Sequence, residues 1–233
     1  MENIDAIAAL QDPVRRRLYE YVAAQAREVG RVEAAEATGV TRTLAAHHLD
    51  KLTEVGLLEA GSRRPPGRSG PGAGRPAKVY TRARAERSVS LPARDYRTAA
   101  ELLAEAAEEA GLDSGLFAAA RRRGAVLRGP AAACDSVEDA MELLTARGYE
   151  PHLESDSREA QGTPGAESAG SPVVRMRNCP FHAVAERFPP LVCGMNRALL
   201  EGLIGEGGPV RARMDARPGE CCVVLEPSKN NED

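Results

Sequence analysis

The sequence contains no tryptophan, and aromatic residues make up only 3% of its 233 positions. Hydrophobic residues make up 42% of the chain, so it can bury sizeable cores, but these must consist mainly of Ala, Leu and Val. The sequence also lacks an apolar run of about 18 residues and a start typical of a secretory signal. We therefore expect no contact with a membrane and a soluble, cytoplasmic protein of one or two domains.

Lysine is scarce as well, because only three of the 31 basic residues are lysine. The net charge of −3 excludes no class of partner, but the charge is unevenly distributed. Residues 1–87 carry 15 basic and 11 acidic residues, and residues 61–87 carry eight basic residues and one acidic residue. Arginine can be abundant for reasons of genome composition, whereas its clustering indicates a polyanionic partner for the N-terminal part.

The five cysteines contain no C-x-x-C pair, so a zinc ribbon or zinc finger is a poor match. Cys179, Cys193 and Cys221 are separated by 13 and 27 intervening residues. Thiolates are soft ligands, so a convergent set favours an iron–sulfur cluster, zinc or copper(I). Buried, inert thiols explain the spacing equally well. A disulfide framework is not expected in a reducing compartment.

Three helices are predicted in the first 60 residues. Asp12–Pro13 favours a helix start, because Asp is a good N-cap and Pro suits the first helical position. A second helix, 32–38, should end at Gly39, and Thr41 should cap a third helix. The apolar positions expected to pack inward on the third helix are Leu44, Ala45, Leu49 and Leu52. Strands at 56–60 and 78–81 would follow, so the pattern predicts a winged helix-turn-helix.

The same stretch resembles the ArsR/DeoR winged-helix family over about residues 8–85. The motifs that carry the resemblance are Ala9–Arg16, His48–Leu52, Val55–Leu58 and Gly74–Tyr80. The resemblance implies that the helix after Thr41 enters the DNA major groove. The outward residues expected to contact DNA are Thr41, Arg42, Thr43, Ala46 and His47, whereas His48 is expected to pack behind the helix.

The segment between the two predicted strands is rich in Gly, Pro and Arg. It is either a solvated linker or a wing that becomes ordered on DNA, and its position between strands favours the wing. Its candidate DNA contacts are Arg63, Arg64, Arg68, Arg75 and Lys78.

The predicted organisation has four parts. Residues 1–87 form the winged helix-turn-helix domain, and 88–112 form a connector and dimerisation helix. Residues 113–227 form an α+β sensor domain with a disordered loop at about 155–172, and 228–233 form a disordered tail. On the connector helix, the apolar positions are Ala99, Leu102, Leu103, Ala106 and Ala110. A homodimer is expected, because a single winged helix reads too few bases of what we expect to be a palindromic operator.

The C-terminal motifs resemble the sensor half of SufR-type iron–sulfur repressors. These motifs are Cys179–Ala185, Val192–Leu203 and Pro218–Cys222. The resemblance implies a repressor whose cluster is held by Cys179, Cys193 and Cys221, with 4Fe–4S favoured over 2Fe–2S. It leaves the fourth ligand open, and the candidates are Cys222, His182, Cys134, a carboxylate or a small exogenous thiol. The expected signals are redox state, oxygen, nitric oxide or iron–sulfur status.

Two other interpretations of the cysteines remain open. The same regulator could use them to bind zinc or to form disulfides as a thiol-based sensor. In a cysteine-dependent enzyme, Cys179 would be the nucleophile and His182 the base, but no orienting acid is identifiable. We therefore expect neither catalytic residues nor a small-molecule substrate.

Overall fold

The computed structural model describes residues 2–25, 27–63, 76–130, 133–155 and 172–228. The fold is mixed α+β with two small antiparallel sheets. The chain divides into two compact units, Met1–Arg94 and Asp95–Asp233. Parts of three predictions lie outside the described residues: the wing arginines Arg64, Arg68 and Arg75, most of the loop at 155–172, and most of the tail at 228–233.

The first unit has a helical part and a three-stranded sheet. Its elements are α1 (Glu2–Ala9), α2 (Pro13–Ala24), β1 (Val29–Gly30), α3 (Arg31–Thr38), α4 (Arg42–Glu54), β2 (Leu58–Arg63) and β3 (Ala77–Arg82). Helices α2 to α4 and strands β2 and β3 agree with the sequence-based predictions. Helix α1 and strand β1 were missed, because α1 lacks a capping signal and two residues carry no strand periodicity.

Local capping explains where these helices begin and end. The Asp12 carboxylate accepts hydrogen bonds from the backbone N–H groups of Val14 and Arg15, both at 2.9 Å. Gly39 ends α3 in the left-handed region, at φ 68°. Thr41 then caps α4 by accepting a hydrogen bond from the Leu44 N–H at 3.3 Å. A short turn therefore separates α3 from α4.

The three-stranded sheet has the order β1-β3-β2, with both pairs antiparallel. Its buried residues pack on the inner faces of α2 and α4 in one core, which includes Leu18, Val22, Leu49, Leu52 and Tyr80. The core is almost entirely aliphatic, as the scarcity of aromatic residues requires.

The second unit contains five helices and a four-stranded sheet within its described ranges. They are α5 (Tyr96–Glu109), α6 (Asp113–Arg128), α7 (Val137–Thr145), β4 (Pro151–Ser155), β5 (Pro172–Met176), α8 (His182–Ala185), α9 (Pro189–Ile204), β6 (Val210–Met214) and β7 (Val223–Pro227). The sequence predicts helices at 95–110, 136–147 and 191–204, and strands at 149–154, 173–177, 210–215 and 222–225. These predictions agree with α5, α7, α9 and the four strands, whereas α6 and the single-turn helix α8 were missed.

Helix α5 packs on its own unit by a side other than its predicted apolar stripe. Ala104 is its buried residue and joins a small core with Phe188, Leu191 and Val192. Leu102 and Leu103 are 61% and 72% exposed. The expectation of an apolar stripe on α5 is therefore correct, but within this unit the stripe faces outward.

The sheet of the second unit has the order β4-β5-β7-β6, and each neighbouring pair is antiparallel. In the central pair, Val174 of β5 lies opposite Leu225 of β7. This register brings the end of β5 beside the start of β7. The Cys221 N–H continues the pairing by donating to the Met176 carbonyl at 2.9 Å. The sheet thus places Cys221 next to the segment that leads to Cys179.

Candidate functional site

Three structural elements bring four of the five cysteines into one neighbourhood. Cys179 lies in the turn between β5 and α8, Cys193 lies in α9, and Cys221 and Cys222 immediately precede β7. Cys193 and Cys221 are buried, at 7% and 3% exposure, and Cys179 and Cys222 are partly buried. The fold therefore collects the three predicted ligands and one of the candidates for the fourth position.

The thiols interact as two pairs. Cys179 hydrogen-bonds with Cys221, and Cys193 hydrogen-bonds with Cys222. Charge interactions also link the pairs, because Cys179 is affected by Cys193 and Cys222. Four soft donors thus lie together in a largely buried region, which is a donor set that suits thiophilic metals and iron–sulfur clusters.

The surroundings of these thiols shift their pKa values in different directions. The hydrogen bond from Cys221 and the backbone N–H of Phe181 lower the pKa of Cys179, although burial opposes the shift. The same Cys179–Cys221 bond, together with burial, raises the pKa of Cys221. Burial and the bond to Cys222 raise the pKa of Cys193 to about 12. Without a bound metal, Cys179 is therefore the thiol of its pair that ionises first.

The position of Cys193 differs from the sequence-based expectation. The sequence predicts a helix at 191–204 with Cys193 near its start, where the N-terminal N–H groups would stabilise a thiolate. Helix α9 instead begins at Pro189, so Cys193 lies in its second turn. The two prolines extend the helix toward the N-terminus, since proline is well suited to the first helical positions.

The candidates for a fourth ligand occupy different environments. Cys222 lies beside Cys193, as described above. The His182 imidazole is 64% exposed and lies 3.3 Å from Glu186. Cys134 packs against the main core of the unit, and burial raises the pKa of its thiol. The geometry thus places Cys222, rather than His182 or Cys134, among the other thiols.

The four thiols do not, however, form a preassembled metal site. Across the parts of the chain that the structure describes, no group of three or more His, Cys, Asp or Glu side chains is arranged to hold a metal ion. Binding of a metal or a cluster would therefore require the paired thiols to exchange their mutual hydrogen bonds for metal bonds.

A buried amide connects the thiols, and it was not identified from the sequence. Asn196 is 1% exposed and points its side-chain N–H group toward two sulfur atoms. Its Nδ2 lies 3.4 Å from the Cys221 Sγ and 3.9 Å from the Cys179 Sγ. The Tyr149 hydroxyl donates to the Asn196 Oδ1. The available sequence signal was the position of Asn196, which is three residues after Cys193 and so one helical turn away.

Arg175 anchors the turn that carries Cys221 and Cys222. It lies in β5, its side chain is only 2% exposed, and its Nε is 2.6 Å from the Glu154 carboxylate. One terminal nitrogen lies 2.5 Å from the Asp215 carboxylate and the other lies 3.6 Å from Glu220. Asp215 also donates its N–H to the Cys222 carbonyl at 2.8 Å. Arg175 thus fixes both ends of the hairpin turn between β6 and β7.

The first unit presents the predicted DNA-contacting residues on the outer side of α4. Thr41, Arg42, Thr43 and His47 are exposed, and Ala46 is half-buried. The expectation that Leu44 packs inward is wrong, because Leu44 is 40% exposed. Its apolar side chain therefore belongs to the same surface. The other three positions expected to pack inward are buried, and His48 joins them, so that Ala45, His48, Leu49 and Leu52 face the core.

His48 packs behind the helix, as expected. It is 6% exposed, and its Nδ1 accepts a hydrogen bond from the Arg15 Nε at 3.3 Å. Burial lowers the pKa of His48 below the ordinary value of 6.5. The neutral imidazole is therefore the form that fits the folded unit.

Two of the predicted wing contacts, Arg63 and Lys78, lie in the described residues, and each is near a carboxylate. Arg63 lies 4.0 Å from Glu28, and its side chain is 52% exposed. Lys78 lies 2.7 Å from Asp50 of α4, which also accepts a hydrogen bond from the Tyr80 hydroxyl at 2.6 Å. Lys78 thus helps to connect β3 to α4, and it would have to exchange Asp50 for phosphate in order to contact DNA.

Comparisons of the chain with protein families, curated proteins and solved structures give no match. In the described ranges, no helix is both long and apolar enough to cross a membrane.

Proposed function

We propose that this protein is a homodimeric, DNA-binding transcriptional regulator, most simply a repressor, controlled by an iron–sulfur cluster. The observation that carries the proposal is the neighbourhood of four thiols in the second unit, alongside a first unit with an exposed polar helix surface. The fold alone does not require these residue types. A solvent-exposed helix can be built without arginine, and a core can be built without thiols.

The DNA-binding part of the proposal is supported by the order and packing of the elements in the first unit. A short turn joins α3 to α4, and α4 is followed by the antiparallel hairpin β2–β3. This order is the one expected for a winged helix-turn-helix with α4 as the recognition helix. Arg42 can form a bidentate pair with guanine, while the exposed Leu44 offers an apolar contact for a thymine methyl group.

The cluster-binding part is supported by the donor chemistry. Cys179, Cys193 and Cys221 are the proposed ligands, and Cys222 is the proposed fourth because its thiol already contacts Cys193. A bound iron–sulfur cluster would supply a redox-sensitive and oxygen-sensitive group that covalently links these ligands. The ligands come from the turn after β5, from α9 and from the start of β7, so their common attachment would restrain all three elements.

The homodimer is supported by the outward apolar face of α5. Tyr96 and Leu103, at 74% and 72% exposure, lie seven residues apart on this face. Ala99, Ala106 and Ala110 continue the same heptad pattern and are also exposed. A second copy of the helix would bury this face, and two copies would present two recognition helices to a palindromic operator.

The proposed control is a two-state equilibrium. Ligation of the thiols favours the state in which the turn after β5, helix α9 and the Cys221–Cys222 segment are held together. Loss of ligation releases these elements, and the operator affinity changes only because the two states differ in how they bind DNA. We assign the tighter operator binding to the cluster-loaded form.

Operator selection followed by anaerobic binding measurements tests this function. Random duplexes would be enriched on the anaerobically reconstituted protein, and the selected site would then be titrated with loaded and cluster-free protein at one salt concentration. We expect a palindromic site and tighter binding by the loaded form. Equal affinities of the two forms for the selected site would contradict the proposed control.

Zinc binding or thiol–disulfide sensing is the second candidate, and the Cys179–Cys221 interaction favours its disulfide form. Two thiols in contact, one with a lowered pKa, can also form a disulfide when an oxidant is supplied. This candidate predicts a colourless protein whose operator affinity responds to zinc or to an oxidant such as a disulfide reagent.

A further inference from the structure

The side-chain amide of the buried Asn196 faces two cysteine sulfur atoms at once. Its amide nitrogen faces the sulfur atoms of both Cys221 and Cys179, at 3.4 and 3.9 Å. An amide has two N–H groups, so one side chain can donate to both sulfurs at the same time. The two cysteines come from segments that are 42 residues apart in the sequence, and the amide bridges them.

Tyr149 determines which way this amide points. Its ring is buried, at 3% exposure, and its hydroxyl contacts the Asn196 Oδ1. Burial raises the pKa of Tyr149 above its ordinary value, so the hydroxyl keeps its proton and donates it. A hydroxyl that donates to the amide oxygen leaves the amide nitrogen on the side of the two sulfurs.

Hydrogen bonds of this kind discriminate between the chemical states of sulfur. An N–H group is attracted more strongly to a negatively charged or metal-bound thiolate than to a neutral thiol, because charge-assisted hydrogen bonds are the stronger ones. Partners in the second coordination shell also orient the ligands that they contact. An amide that already faces two sulfurs therefore favours the state in which both are bound to a metal.

We infer that Asn196, oriented by Tyr149, is a positioning residue that donates hydrogen bonds to Cys179 and Cys221 and stabilises their metal-bound form. The inference rests on the proposed function in its choice of an iron–sulfur cluster, but it applies to any thiophilic metal held by these two cysteines. In an iron–sulfur centre, the same N–H groups stabilise the more negative, reduced cluster and raise its reduction potential.

The experiment compares four proteins: wild type, Asn196→Leu, Tyr149→Phe and Asn178→Ala. Asn196→Leu removes both N–H groups at similar side-chain size, and Tyr149→Phe removes only the hydroxyl. Asn178→Ala is the matched control, because Asn178 is adjacent to Cys179 but donates to the Gly148 carbonyl instead, at 2.6 Å. Circular dichroism of each metal-free protein establishes that it is folded.

Two measurements are made on each folded protein. The first is the affinity of the metal-free protein for Co²⁺, determined by chelator competition from the thiolate-to-cobalt absorption band. The second is the midpoint potential of the anaerobically reconstituted cluster. We expect Asn196→Leu to lose about 10- to 100-fold in Co²⁺ affinity, the usual cost of removing a second-shell partner. The ratio of reduced to oxidised cluster should fall about tenfold, a shift of about 59 mV to lower potential.

Tyr149→Phe should change both quantities in the same direction by a smaller amount, and Asn178→Ala should match wild type. A folded Asn196→Leu protein with wild-type Co²⁺ affinity and potential would overturn the inference and leave the proposed function standing. Wild type that takes up Co²⁺ with an Asn196-dependent affinity, but no iron, would support the inference and overturn the proposed cluster. Wild type that takes up neither metal would overturn both.

Discussion

Gly124 of α6 and Gly202 of α9 lie where the two helices meet backbone to backbone. A Cβ atom on Gly124 would lie 3.0 Å from the carbonyl carbon of Gly202, and one on Gly202 would lie 3.0 Å from the Ala125 nitrogen. The obstructing atoms belong to the backbone, so they cannot move aside as a flexible side chain can. The close packing of α6 on α9, the helix that carries Cys193 and Asn196, therefore requires glycine at both positions.

We expect Gly124→Ala and Gly202→Ala each to lower the free energy of unfolding by about 1–3 kcal/mol, the usual cost of overpacking. Urea denaturation followed by circular dichroism measures the change. Gly115→Ala is the control, because it lies on α6 with nothing near its Cβ position. It should stabilise the protein by up to about 1 kcal/mol through helix propensity. Equal stability of Gly115→Ala and Gly124→Ala would contradict the close approach.

His48 should make the stability of the protein depend on pH. Burial lowers its pKa in the folded state below 6.5, so the unfolded chain binds a proton that the folded chain does not. Stability should therefore fall as the pH decreases through about 6.5. Denaturant midpoints measured between about pH 8 and pH 5 test this dependence. His48→Gln should weaken it strongly, whereas His47→Gln should have a smaller effect, because His47 contributes least to lowering the pKa of His48.

Removal of the buried Arg175 guanidinium should strongly destabilise the protein. Arg175→Met leaves Asp215, whose side chain is 9% exposed, without its closest cation in the β5 strand. Breaking a buried ion pair in this way costs about 3–5 kcal/mol. Arg217→Gln is the matched control, because Arg217 also contacts Glu154 but is 40% exposed. Because Arg217 is solvent-exposed, its loss should lower the free energy of unfolding far less than the loss of Arg175. Similar unfolding free energies for the two variants would show that the burial of Arg175 does not increase its contribution to stability.

Leu103→Glu should dissociate the proposed dimer without unfolding the chain. The side chain is exposed within its own unit, so a charge there is solvated in the monomer but would be buried between two α5 helices. Analytical ultracentrifugation should show a dimer for wild type and a monomer for the variant, with similar circular dichroism. Glu105→Lys, an exposed substitution elsewhere on α5, should remain dimeric. A monomeric wild type would contradict the proposed pairing.

The elements that could be predicted from sequence are those with local signals. Asp12, Gly39 and Thr41 determine helix ends through their own backbone and side-chain chemistry, so α2, α3 and α4 were predicted well. Helix α6 was missed because two glycines and three consecutive arginines obscure its apolar pattern. One of these glycines, Gly124, is explained only by contact with α9, which is far away in the sequence.

In the candidate site, too, some residues could be predicted from the sequence and others could not. The cysteines could be identified as candidates because thiol chemistry is evident in the sequence. Asn196 and Tyr149 could not be, because they are 47 residues apart and their contact depends on the tertiary packing of α9. Leu44 and the apolar face of α5 show a related limit. Periodicity identifies an apolar side of a helix, but it does not specify whether that side meets the chain's own core or a partner.

The most direct test of the account is iron and sulfide analysis, with visible absorption, of anaerobically purified protein and of its Cys→Ser variants. We expect brown wild-type protein with iron and sulfide in equal amounts. The colour should be lost in Cys179→Ser, Cys193→Ser and Cys221→Ser, weakened in Cys222→Ser, and unchanged in Cys134→Ser. Wild-type protein that stays colourless and free of iron after anaerobic reconstitution would contradict the central claim that these cysteines hold an iron–sulfur cluster.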